Sequence, residues 1–162
     1  MTTTTVPTPT TPASVTTPHP APALRRHPAS DGWTALVEAV REAGQYTTSA
    51  EAERITRIVL SALGGHVTGE ERVALARALP EEAAGVITSQ IPATRPLTAA
   101  EFVDSVAARI EGATPATARW DVSSVLSVLP PLTGDPLTDR ILKQLPPGYA
   151  LLFGRADLGP KG

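Results

Sequence analysis

Residues 36–87 lie on residues 102–153 without a gap, and 12 of the 52 aligned positions are identical, against roughly four or five expected by chance from an average composition. The agreement falls on apolar positions. Leu36/Phe102, Val37/Val103, Val40/Val106, Val59/Val125, Leu60/Leu126, Leu63/Leu129, Leu75/Ile141, Val86/Leu152 and Ile87/Phe153 are apolar in both segments, and Leu79-Pro80 meets Leu145-Pro146. Segments that share core positions and chain breaks, but not surface residues, share a fold. The chain therefore reads as two tandem copies of one unit, about 31–91 and about 97–155. Pairs such as Ile55/Asp121 and Val73/Asp139 do not agree, so the copies have diverged.

The unit is helical. Trp33, Leu36, Val37 and Val40 recur at the spacing of one helix face, opened by Asp31 and closed by Gly44. Thr48 with Glu51, and Thr68 with Glu71, have the spacing of capping boxes, each ahead of a further helix. The first carries Ala52, Ile55, Val59 and Leu63 and stops at Gly64-Gly65, and the second carries Val73 and Leu75. Pro80 is placed at the first position of a short fourth helix. The second copy repeats the plan from Thr98 and Glu101, from Thr114-Pro115 and from Asp135-Pro136, with a short end at Tyr149, Leu152 and Phe153. The expected fold is all-α, a single domain of about eight helices spanning 31–155.

This arrangement resembles a bacterial family known as domain of unknown function 2267. The likeness rests on Leu36–Val40 and Phe102–Val106, and on Val59-Leu60-Ser61-Ala62-Leu63 and Val125-Leu126-Ser127-Val128-Leu129. The two Leu-Pro breaks and the end Tyr149-Ala150-Leu151-Leu152-Phe153 complete it. The resemblance implies a small, helical, internally duplicated protein and carries no activity, cofactor or catalytic residue with it.

Residues 1–30 are different in kind, with nine Thr, seven Pro, no acid, and only Arg25 and Arg26 charged. Such a segment cannot bury enough surface to offset its ordering entropy and is expected to be disordered, with polyproline II character. It serves as a solubilising extension, or as a tether in which Leu24-Arg25-Arg26 is the feature resembling an anchor. Thr8, Thr11 and Thr17 each precede a proline and are nominal phosphorylation sites. Residues 156–162 are expected to be a flexible C-terminus.

Composition narrows the function. From Asp31 onward 12 basic residues face 16 acidic ones, with no Lys/Arg cluster, which speaks against nucleic-acid binding. The chain has no cysteine, so thiolate metal sites and disulfides are excluded. No apolar run approaches the roughly 18 residues of a membrane span, and no signal-peptide pattern opens the chain. A cytoplasmic protein without membrane, metal or cofactor is expected.

No catalytic set stands out. His19 and His27 lie in the tail, and His66 faces Leu132 in the alignment, so a symmetric metal site is ruled out. The Gly64–Gly69 stretch lacks the ending of a phosphate loop. Glu70/Glu71 and Glu81/Glu82 suit helix N-termini, and Ser61 and Ser127 read as buried serines bonded back to their own helices. Trp120 occupies the place of Arg54; it is expected between the copies, with an exposed partner anchor as the alternative. Two functions follow. The first is a non-catalytic interaction module, binding a protein partner or itself, with the tail as tether or recruitment segment. The second is a ligand-binding or enzymatic domain with a pocket between the copies, lined by Trp120, Phe102 and Tyr149, with His66 as a further candidate.

Overall fold

The computed structural model describes residues 28–155, with side-chain surroundings from Asp31 onward. The expectations for the Thr/Pro-rich tail before Pro28, including Leu24-Arg25-Arg26 and the Thr-Pro steps, lie outside the described residues, as does that for 156–162. Among the described residues there are nine helical segments and no strand. They are α1 (Pro28–Gly44), α2 (Ser49–Gly64), α3 (Gly69–Ala78), α4 (Glu81–Thr88), α5 (Ala99–Ala107), α6 (Pro115–Leu126), α7 (Pro130–Thr133), α8 (Asp135–Gln144) and α9 (Tyr149–Leu152).

The caps show how far local chemistry decides the helix ends. At α5, Thr98 Oγ1 accepts from Glu101 N at 3.1 Å while Glu101 Oε1 accepts from Thr98 N at 3.0 Å, a complete capping box. Thr114 and Thr117 form the same reciprocal pair at α6, with Pro115 just inside the helix. At α2 Thr48 accepts from Glu51 N at 3.1 Å, without the return bond. The box expected at Thr68 and Glu71 does not form, because Gln144 of α8 takes both partners. Its Oε1 accepts from Thr68 N at 3.0 Å and its Nε2 donates to Glu71 Oε1 at 2.7 Å. Two further boundaries shift. α1 starts at Pro28, so Asp31 lies in its first turn, a favourable place for an acid, and does not cap it. Pro80 precedes α4 as its cap residue.

Helix positions follow the 66-residue offset of the sequence alignment: α2 and α6 begin at Ser49 and Pro115, and α3 and α8 run over matched spans. The packing is reciprocal as well. α1 lies on α2 as α5 lies on α6, α1 meets α6 as α5 meets α2, and α2 meets α6 while α3 meets α8. The core runs through both halves. Leu36/Phe102, Val40/Val106, Val59/Val125, Leu60/Leu126, Leu63/Leu129 and Ile87/Phe153 are buried in both members of each pair, each large side chain contributing roughly 1.5–3 kcal/mol. Asp121, at the place of Ile55, is buried too, and Tyr46 OH donates to its Oδ1 at 2.5 Å. Val73, expected in the core, is 51% exposed, and its counterpart Asp139 pairs with Arg155 at 2.8 Å.

Candidate functional site

The candidate ligand residues do not meet in one place. Phe102 and Tyr149 are fully buried, with ring centroids 5.4 Å apart in an edge-to-face pair, and His66 adds its ring edge to Phe102 at 5.5 Å. Tyr149 OH donates to Leu97 O at 2.8 Å, and burial pushes the phenol well above its ordinary range. These two aromatics are core. Trp120 lies elsewhere, half exposed on α6, with its Nε1 donating to Gly44 O at 3.0 Å. It touches the other copy through that bond, but it does not fill the interface. Beside it is a hollow of 130 Å³ shared with Leu151 and Ser123.

Ser61 and Ser127 are half-buried rather than buried, and Ser61 Oγ accepts from Arg109 Nη1 at 2.8 Å. Among the described residues no three His, Asp or Glu side chains gather where they could hold a metal ion. No helix among the described residues is long and apolar enough to cross a membrane.

Two larger recesses are built from matched parts of the copies. The first is an apolar groove of 580 Å³. Its floor is the α1 face of Gly32, Ala35, Leu36 and Ala39; its walls are Ala78-Leu79-Pro80 and the stretch from Ser127 to Leu132. It is a hollow because its floor is mostly alanine and glycine. Leu132, on its rim, is 45% exposed, and among the described lining residues the hydroxyl of Ser127 is the one polar side-chain group.

The second recess, of 350 Å³, is polar. Gly65 and His66 stand where the groove has Pro131 and Leu132, and Gln144 and Leu145 stand where it has Ala78 and Leu79. Its remaining wall is the linker between the copies, through Ala93, Arg95 and Pro96. Ala93 N donates to Gly65 O at 2.8 Å, which ties the linker to the end of α2 beside the recess. His66 Nδ1 lies 3.0 Å from Ala62 O, while Nε2 is buried with no hydrogen-bond partner.

The sequence alone pointed to His66 but not to the groove, although Val128-Leu129-Pro130-Pro131-Leu132 was a visible signal. An apolar run continued past a helix-ending proline needs either burial or a partner.

Among the described residues the fold is all-helical, and it frames the apolar groove and the polar recess. The chain belongs to the family described as "Uncharacterized conserved protein (DUF2267)", whose model matches residues 33–152. No curated protein matches it.

Proposed function

We propose that this protein is a non-catalytic interaction module whose docking site is the apolar groove of α1, Leu79-Pro80 and Val128–Leu132. Its occupant is a short polypeptide segment rich in proline and leucine. The observation that carries this is the lining: apolar side chains around a peptide-sized cleft, with Ser127 as the one polar side-chain group among the described lining residues. Recognition of an apolar segment needs such a surface, whereas acid–base or nucleophilic work needs convergent polar groups. Proline-rich segments suit it because they are extended before binding and lose little entropy on docking.

Selection from a display library of short random peptides against the full chain tests this. Enriched peptides should carry proline and leucine, and Leu132→Asp should weaken them at least tenfold. Enrichment that is indifferent to Leu132→Asp would reject the groove as the site.

One atom favours a second reading, a small-molecule site in the polar recess. The buried, unpartnered Nε2 of His66 would hydrogen-bond a ligand lying against Gln144 and Arg95. A thermal-shift screen of polar metabolites decides it, and a flat response across the panel ends it.

A further inference from the structure

The apolar groove adjoins the hollow beside Trp120. Ser127 lines both. On α1, Ala39 belongs to the groove and Ala43, one turn further on, belongs to the hollow. The two form one cleft along α1, about 16 Å long from Gly32 to Ala43 at the helical rise. Leu132 is half-exposed at one end, and Trp120 and Leu151 are half-exposed at the other. The bond from Trp120 Nε1 to Gly44 O holds the indole in place while half of it meets solvent.

The size of this cleft selects its occupant. A slot about 16 Å long and about 10 Å wide, one helix spacing, offers about 160 Å². A stable pair of folded subunits needs about 800 Å² from each partner. A single segment of chain fits the slot, and the face of a second copy does not. The exposed charges next to the lining in sequence nearly balance, Asp31, Glu42 and Glu81 against Arg77 and Arg119, so the segment need carry no net charge. Two hydroxyls select its conformation. Ser127 stands where groove and hollow meet and Ser123 one turn before it, and neither hydroxyl has a partner among the described residues. A helical segment has its carbonyls bonded within itself, whereas polyproline II leaves every carbonyl free to accept.

We propose that the cleft takes one uncharged, proline-rich segment of a partner protein in extended form. An aliphatic side chain of that segment lies in the groove against Leu132, and a proline about five residues away stacks on Trp120, at the rise of polyproline II. The inference rests on the groove being a polypeptide-docking site and adds a second anchor and a spacing. Five residues of polyproline II cover about 16 Å, the length of the cleft. Proline-rich segments are recognised by stacking on exposed aromatic rings. The place of Trp120 in the first copy is taken by Arg54, so the two copies differ at this anchor.

Two fluorescein-labelled peptides test this on the full chain by fluorescence anisotropy. The long one carries a leucine with five prolines on each side, so it reaches Trp120 in either chain direction. The short one has two prolines on each side and stays in the groove. The long peptide should bind at least tenfold tighter, and Trp120→Ala should remove that advantage while changing the short peptide less than twofold. Trp120→Phe should restore most of it, and Leu132→Asp should weaken both peptides. Equal losses of both in Trp120→Ala would mean a distorted groove and overturn the second anchor. Peptides that bind alike to the native chain, or no loss of either in Trp120→Ala, would overturn it and leave the groove as the docking site. If neither peptide binds while random-peptide selection still enriches sequences that depend on Leu132, the second anchor falls and the groove stands; if selection is also empty, both fall. Sedimentation of the chain alone closes the test, because a dimer that Trp120→Ala dissociates would make a second copy the occupant.

Discussion

The indole N–H of Trp120 donates to the carbonyl oxygen of Gly44 at 3.0 Å, joining α6 to the last residue of α1. Gly44 is required at that corner. A Cβ there would lie 2.3 Å from the Tyr46 ring, and the chain reverses immediately afterwards through Gln45 at a φ of 59°. The tie is half exposed, so its value is that of an ordinary hydrogen bond. Trp120→Phe should cost about 0.5–1.5 kcal/mol, read from urea unfolding by circular dichroism. A larger loss would mean that the ring packs more than its exposure indicates.

Tyr46 and Asp121 meet beside this tie, and their bond sets a pH dependence. Burial raises the Asp121 carboxyl above its ordinary range; the bond from Tyr46 opposes this, the negative charge of Glu51 adds to it, and Arg54 opposes it again. A folded-state value above the unfolded one gives stability that is fully present below the ordinary Asp range. That stability is lost as pH rises through the raised value. Asp121→Asn should therefore be more stable than the native chain at neutral pH, with the gain disappearing in acid. Tyr46→Phe leaves the buried carboxylate without its donor and should cost about 1–3 kcal/mol at neutral pH. Its cost should shrink in acid. Urea unfolding at both pH values checks the pair, and a pH-independent difference would contradict the assignment.

Arg72 of α3 gathers the ends of two other helices. Nη1 donates to Gly64 O and, at 3.2 Å, to Val67 O; Nη2 donates to Ile87 O at 2.8 Å and to Gln90 O at 2.7 Å. These carbonyls lie at and just beyond the C-terminal ends of α2 and α4, where helix partners run out and a cation is favoured. Arg72→Ala should cost about 2–3 kcal/mol. Arg72→Lys should recover only part of it, because an ammonium has three donors and no planar fork to span four acceptors. Equal stability of the Lys variant and the native chain would remove the multidentate role.

These features show what was legible in the sequence. Helix starts at Thr98 and Thr114, and core positions such as Val40 and Val106, could be read because caps and helical period are local signals. Arg72 could not, because its acceptors are main-chain carbonyls with no residue signature. The groove was hidden for a related reason. Ala35, Ala39 and Ala78 make it by being small, and they meet Val128 and Leu132 only through folding. The pocket expected from Trp120, Phe102 and Tyr149 had the opposite fault. Aromatic type suggested a ligand, while two of the rings were needed for the core.

His66 offers the clearest test of divergence between the copies, because its counterpart Leu132 has no polar atom. Its Nδ1 lies 3.0 Å from Ala62 O, and its buried Nε2 has no hydrogen-bond partner. A buried polar atom without a partner costs about 1–3 kcal/mol, and the bond to Ala62 returns about 1 kcal/mol. His66→Leu should thus be neutral to stabilising by about 1 kcal/mol, since the leucine keeps the apolar contact with Phe102 and removes the orphan atom. The thermal midpoint of the full chain is the measurement. A clear drop would show that the imidazole is satisfied in solution, by water or by a bound molecule in the polar recess, and a thermal-shift response to a ligand, lost in this variant, would identify which.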